Sequence, residues 1–349
     1  MKKAIILFNL GGPDNLENVK PFLFNLFNDP AILNLPAFFR YPLAKLISNK
    51  RAPVAKKIYE EIGGASPILK QTEQQSNALE KKLNQSQTTN KFKCFIVMRC
   101  WHPRATEVIK NVQSYVPEEI ILMPLYPQYS AATSGSSIKE WKDTCKTNNY
   151  NTKTSTICCY PTDKNFINAH TQEIIKKIKN LKNFKLIFSA HGLPKKNIKK
   201  GDPYQWQIEQ SVKKIVENLN FVNLDWILSY QSKVGPLEWI GPSTDDIIIK
   251  NSKIGKHIVL VPIAFVSEHS ETLVELDIEY KKLAKDNGCK QYTRVPALGI
   301  NETFINAMSE LIIKKKEYKF NDFLYPPKKK CPSHLKKCPC LNYEYLFII

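Results

Sequence analysis

Residues 4–13 read AIILFNLGGP, an unbroken apolar run that halts at Asn9 and turns through Gly11, Gly12 and Pro13. Behind Lys2 and Lys3 it faintly resembles a secretory leader. It lacks a small-residue cleavage site, so it reads as a buried first strand ending in a tight turn. Seven further runs of this kind follow: Cys94 to Arg99, Ile120 to Leu125, Thr154 to Tyr160, Lys185 to Ser189, Trp226 to Gln231, Ile258 to Phe265 and Tyr292 to Leu298. Short apolar runs bounded by Pro, Gly or Asn, with helical patterns between them, are what parallel sheets covered on both faces require. The helical patterns span Thr72 to Leu83, Ala105 to Tyr115, Ile167 to Ile178, Tyr204 to Leu219, His269 to Lys285 and Asn301 to Lys315. This alternation predicts an α/β protein of two Rossmann-like doubly wound domains, each a four-stranded parallel sheet flanked by helices. The expected division is 1–165, 166–325 and a Cys- and Lys-rich extension at 326–349.

The composition agrees, because a single core usually stops growing below 349 residues. The 51 Lys and Arg against 32 Asp and Glu give a formal charge of +19. Only five of them are Arg, and base reading leans on Arg forks, so no nucleic-acid partner is expected. Weak attraction to anionic lipid or to an acidic small molecule suits a Lys-rich surface better. No apolar run reaches the length of a membrane-spanning helix. A cytoplasmic location with nine reduced Cys follows as the expectation, and thiols in that setting point to metal more than to bridges.

Ligands of open α/β sheets bind beyond the carboxyl ends of strands, and here those ends are rich in polar, aromatic and glycine residues. His191 ends the fifth strand, placed to act as a base or a metal ligand. After the seventh strand comes Ser267-Glu268-His269-Ser270-Glu271, followed by Glu275, Asp277 and Glu279. Most such runs are solvated faces, but this one is concentrated in a basic chain beside a His, which suits a path for a hard or borderline cation. Carboxylates four apart drift about 40° per step on an α-helix. A π-bulge would bring them closer to one line. Trp239 lies on a loop stiffened by two Gly-Pro pairs, where it can stack on a flat ligand. Residues 35–47 carry Phe38, Phe39, Tyr41, Leu43 and Leu46, an ordinary amphipathic helix or an apolar lip for a membrane surface or a hydrophobic substrate. Cys331, Cys338 and Cys340 close the chain among lysines. Zinc there would use His334, whereas a 2Fe–2S cluster would need a fourth thiolate from elsewhere.

At these residues the sequence resembles the ferrochelatase family, which inserts ferrous iron into protoporphyrin IX at the end of haem synthesis. The resemblance is near full length and rests on LFNLGGP (7–13), IGGASPI (62–68), YPQYS (126–130), SGSS (134–137), FSAHGLP (188–194), GDPY (201–204), QSKVGP (231–236), VPIAF (261–265) and ETLVELDIEY (271–280). It implies a chelatase-like pair of domains holding protoporphyrin IX in the cleft between them, with Fe(II) as co-substrate. It implies His191 and Glu271 as the central pair that handles metal and pyrrole protons, with Glu275, Asp277 and Glu279 as the acidic row behind them. Arg99, Tyr126, Ser130 and Trp239 fall at positions lining or supporting the porphyrin. Cys100 stands where many relatives carry an aromatic, leaving Trp101 to supply that contact.

Animal relatives draw an internal cluster thiol from the position of Ala169 here. Some bacterial relatives carry a cluster with an internal thiol near the fourth strand, so the resemblance implies Cys158 with Cys331, Cys338 and Cys340 in a 2Fe–2S cluster, with Cys159 and Cys145 as alternatives. Carboxylates on the second wall can pass iron in or protons out, and the residues alone leave both open. The competing readings are a chelatase for another tetrapyrrole or metal, such as coproporphyrin or cobalt, and a non-catalytic haem or metal carrier. An intact His191 and Glu271 argue against the carrier. Membrane contact is expected to be peripheral at most, at the inner membrane through residues 35–47. The oligomeric state is not readable.

Overall fold

The computed structural model describes residues 1–86, 89–233, 235–313, 319–320, 323–324, 331–339 and 341. They form two compact units, one from residues 1–159 with 308–327 and one from 160–307 with 328–349. The first contains β1 (Lys2–Asn9), β2 (Lys91–Met98), β3 (Glu119–Pro124) and β4 (Thr154–Ile157). The second contains β5 (Phe184–His191), β6 (Trp226–Gln231), β7 (His257–Pro262) and β8 (Tyr292–Arg294). All four strands of each set are parallel, in the orders β2-β1-β3-β4 and β6-β5-β7-β8. The same order twice is the expected architectural duplication. The first sheet also takes on β10 (Phe323–Leu324), parallel to β4, and β9 (Lys319–Phe320), antiparallel to β10.

Burial explains the apolar runs. Ala4 to Phe8 in β1 and Ile258 to Val261 in β7 are fully inaccessible, so residues pointing to both faces of each sheet are covered. On one face of the first sheet Ala4, Ile6 and Phe8 pack with Val108, Ile109 and Val112 of the helix Ala105–Tyr115 and with Trp141. In the second, Ile187, Ile258 and Leu260 pack with Ile247, Ile248, Leu276 and Tyr280. Each such side chain contributes about 1.5–3 kcal/mol relative to exposure. Strand order fixes the functional geometry. In each sheet the chain leaves its first strand to one side and then returns to the other, so the switch points lie at the carboxyl ends of β1 with β3 and of β5 with β7.

Of residues 35–47, those from Ala37 onward belong to a longer helix, Ala37–Glu60, which continues through Pro42 and Pro53. Phe38, Phe39, Tyr41 and Leu46 lie exposed on it. Among the described residues no helix is long and apolar enough to cross a membrane.

His170, on the helix Lys164–Ile178, is buried edge-on to Phe166, with ring centroids 4.9 Å apart. Neither ring nitrogen has a hydrogen-bond partner among the described residues. Burial therefore lowers its pKa to about 3. A depressed histidine folds as the neutral ring, so its contribution is complete above the unfolded value of about 6.5 and is lost as pH falls toward 3, at about 1.4 kcal/mol per pH unit. Burial lowers His257 and His269 in the same direction. Equilibrium unfolding between pH 7 and 5 is expected to show the wild type losing about 2 kcal/mol more than His170→Leu across that window. Equal slopes would contradict this account of the ring.

Candidate active site at the β5 and β7 strand ends

β5 delivers His191 to the carboxyl edge of the second sheet, and Tyr204 Oη donates to its carbonyl at 3.0 Å. The ring is oriented by one contact. Nδ1 lies 2.6 Å from the Gly192 carbonyl, an oxygen that can only accept, so Nδ1 carries the proton of the neutral ring. That leaves the Nε2 lone pair outward, 3.6 Å from Glu271 Oε1. Both side chains are about one-third exposed, at 37% and 33%. The arrangement is that of a general base: Nε2 can accept a proton, and the carboxylate beside it stabilises the imidazolium formed.

Glu271 reaches that position because the segment after β7 is a π-helix, Glu271–Glu279, continued by the α-helix Tyr280–Asp286. The sequence shows only that a π-bulge would bring carboxylates four apart closer to one line, and the structure holds a π-helix through nine residues. The π-helix starts at a built cap. His269 Nδ1 accepts from the Glu271 backbone N–H at 3.1 Å, while the His269 backbone N–H donates to Thr272 Oγ1 at 3.0 Å. Burial lowers the His269 pKa, which keeps Nδ1 an acceptor. Its role is thus to cap the helix.

The carboxylates behind Glu271 diverge. Glu275 is held by four donors: the Ser232 backbone N–H at 2.9 Å and Tyr280 Oη at 3.1 Å on Oε1, and Gln231 Nε2 at 3.0 Å and Ser232 Oγ at 2.6 Å on Oε2. Ser232 adopts a left-handed φ of 62° just past β6, so the chain accepts backbone strain where it turns both donors to this carboxylate. Gln231 is set in turn by Ser189 Oγ, which donates to its carbonyl oxygen at 2.8 Å. Burial first, then the charge of Glu271, raise the pKa of Glu275. Tyr280 Oη lies 3.1 Å from both Glu275 and Asp245 and has one proton to give, so one of the two contacts needs a protonated carboxyl or a water. Asp277 turns instead to Arg294, which grips it through Nε and Nη2, both at 2.7 Å. Glu279 is exposed.

Trp239 flanks His191, with ring centroids 6.5 Å apart and planes 50° apart. Its loop is laced to residues 192–195 through Ile240 N to Leu193 O at 3.0 Å and Lys195 N to Glu238 O at 2.8 Å. Gly192 must be glycine here: a Cβ would sit 2.9 Å from the Gln231 carbonyl oxygen and 3.0 Å from the Trp239 ring.

In the first unit, Arg99 is committed to an ion network. It donates to Ser136 Oγ at 2.7 Å, pairs with Asp29 at 3.0 Å and reaches Glu140 at 3.3 Å. Ser130 Oγ accepts from Ala132 N at 3.2 Å and caps the π-turn Ala131–Gly135. Tyr126 Oη is buried without a hydrogen-bond partner among the described residues.

Cys331 and Cys338 are buried in one nest with Leu335, packed by Trp206 and Leu341. Gln207 Nε2 donates to Cys331 Sγ at 3.4 Å. The segment fits there because Gly201 has no side chain, since a Cβ would meet Lys336 N at 2.7 Å. His334 is exposed, whereas both thiols are covered. Cys158 and Cys159 are buried in the first unit, and Cys340 lies outside the described residues. Among the described residues no three His, Cys, Asp or Glu side chains gather as a metal site.

Gln231, Ser232, Tyr280, Asp245 and Arg294 had not been singled out from sequence as individual site residues. The QSKVGP stretch was the signal for the first two.

The solved structure of SirB from Bacillus subtilis with Fe3+ shares the fold, with a TM-score of 0.52 over 90% of this chain and 95% of that one at 12% identity. The protein named ferrochelatase from Pelagibacter ubique is 81% identical over 99% of this chain and all of its own length. That from Rickettsia bellii is 50% identical over 97% of this chain and 95% of its own. The Ferrochelatase family model matches residues 2–316, a span that contains strands β1 to β8 and the His191 and Glu271 pair, and the chain belongs to the ferrochelatase family.

Proposed function

We infer that this enzyme inserts Fe(II) into protoporphyrin IX to form protohaem, releasing two protons, the last step of haem biosynthesis. The observation that carries the mechanism is the His191 Nε2 lone pair facing Glu271 across 3.6 Å. Metalation must strip two pyrrole protons while iron sheds its water shell. Neutral His191 accepts a pyrrole proton at Nε2, its ring kept in register by the Nδ1 contact to Gly192. Glu271 stabilises the imidazolium and takes its proton on to solvent, which returns His191 to the neutral form that accepts the second pyrrole proton. The partly exposed Trp239 beside His191 supports a stacking role against the macrocycle. By the resemblance, Arg99, Tyr126 and Ser130 support the porphyrin wall, Arg99 through its ion network with Asp29 and Glu140. Exposure of Phe38, Phe39 and Leu46 favours the apolar-lip reading and a peripheral membrane contact.

The test is an anaerobic spectral titration of Fe(II) into protein with protoporphyrin IX, in the wild type, His191→Ala and Glu271→Gln. Conversion of the free-porphyrin bands to a haem spectrum is expected in the wild type, with each variant slower by about 10²–10⁴-fold. Binding without metalation would favour another metal, another tetrapyrrole such as coproporphyrin, or a carrier.

Glu275 is better suited to protons than to iron. Its two oxygens already have four hydrogen-bond partners, and its raised pKa favours a proton shared with Tyr280 Oη, which also reaches Asp245. Iron handling is thereby assigned to His191 and Glu271, with the exposed Glu279 as an outer ligand. Glu275→Gln puts an amide donor against existing donors, at a cost of about 1–3 kcal/mol. Its kcat is expected to fall about tenfold with the KM for iron unchanged. A raised iron KM at unchanged kcat would assign Glu275 to iron entry.

For the tail, the shared burial of Cys331 and Cys338 and the amide donor on Cys331 fit a sulfur-ligated group, and the exposure of His334 disfavours zinc. By the resemblance, Cys331, Cys338 and Cys340 with Cys158 would hold a 2Fe–2S cluster, which when bound supplies one-electron redox chemistry. Anaerobically purified protein is expected to show visible absorption and equal iron and acid-labile sulfide, both lost in Cys338→Ala. Colourless protein containing zinc would contradict this.

A further inference from the structure

A π-helix pairs each N–H with a carbonyl five residues back, a geometry that ordinarily persists only for a single turn. Here it runs through nine residues and carries Glu271 at its first position. Something outside the helix must hold it against relaxing to the tighter α form. The edge strand β8 supplies that support through two side chains two residues apart, which therefore share one strand face. Tyr292 Oη donates to the Leu276 carbonyl at 2.5 Å. Arg294 closes a fork on Asp277 through Nε and Nη2, and its Nη1 reaches back to Glu268 Oε1 at 2.8 Å. The same Glu268 oxygen accepts the Ala297 backbone N–H at 2.9 Å.

The placement of these contacts is specific. Glu268 precedes Glu271 by three residues and Asp277 follows it by six, so one guanidinium brackets the residue that faces His191. The bracket is largely out of water, with Arg294 and Glu268 side chains 11% and 13% exposed and Asp277 at 37%. Only a planar cation with divergent donors satisfies both carboxylates at once. We propose that Arg294 is a positioning residue for metal insertion, its three-way grip on Glu268 and Asp277 fixing the π-helix register that sets Glu271 opposite His191. On this view Asp277 anchors the helix and does not carry iron.

The proposal rests on the ferrochelatase reading for its kinetic arm, and a second arm is independent of it. Arg294→Gln, Arg294→Lys and Asp277→Asn are compared in the full-length protein by steady-state metalation and by backbone hydrogen exchange over residues 268–280. Arg294→Gln is expected to lower kcat by about 10- to 100-fold, with the KM for porphyrin within about twofold. Lys keeps the charge but not the fork, so Arg294→Lys should fall between Gln and wild type. Asp277→Asn, at the most exposed member of the bracket, should show a smaller loss in the same direction and keeps the test open if Arg294→Gln does not fold. Exchange over 271–279 should quicken in all three, with β5 and β6 unchanged. Unchanged exchange overturns the proposal, as does a fall in melting temperature with kcat preserved, which would mark Arg294 as structural only. If wild type itself fails to metalate, the ferrochelatase reading fails and exchange alone decides the clamp.

Discussion

The candidate site's geometry depends on a helix wound wider than the α form, entered from the loop that follows β7. An α-helix over the same residues would advance each by about 100° and set their carboxylates at other angles around the axis. Held as a π-helix, the segment presents Glu271 to His191, Glu275 to the Ser232 turn and Asp277 to β8. Each carboxylate thereby has a separate partner of suitable chemistry: an imidazole, a set of neutral donors and a guanidinium. The strain of a left-handed Ser232 and the buried cap at His269 are local costs of holding that arrangement.

The sheet beneath explains why these residues meet. With strand order β6-β5-β7-β8, β5 and β7 are neighbours, and the connections leaving them depart in opposite directions. A histidine at the end of one and a helix after the other face a shared opening without any long-range device. Gly192 then lets the Trp239 loop come within van der Waals contact of the strand end, which a methyl group would prevent. The acidic run also stands out electrostatically, since it places five carboxylates within residues 268–279 of a chain of formal charge +19.

Much of this was legible in sequence. The eight strand runs, and the bounds of the helices Ala105–Tyr115 and Tyr204–Leu219, could be read because buried parallel strands and amphipathic helices impose strong patterns. Other elements escaped that reading. Ser136–Thr147 and Thr244–Lys253 are rich in Ser, Thr, Lys and Asn, and their apolar stripe is thin. Ala37–Glu60 crosses two prolines that ordinarily mark helix ends. β8 stops at Arg294, although its apolar run continues to Leu298 and Val295 N still donates to the Leu260 carbonyl at 2.8 Å. Within the site, His191 and Glu271 stood out through position and resemblance. The partners of Glu275 did not, since Ser232 lies 43 residues away and a serine in a turn carries no periodic signal. Asp277 looked like one more member of an acidic row, and only the fork from β8 separates it.

The central claim is that His191 and Glu271 act as one unit in removing pyrrole protons. A double-mutant cycle on single-turnover metalation measures this directly, using His191→Ala, Glu271→Gln and the pair together. The account predicts strong non-additivity, with the double variant about as slow as the slower single variant, because removing either partner already disables the unit. Losses that simply multiply would mean that the two residues serve separate steps, and would contradict the account.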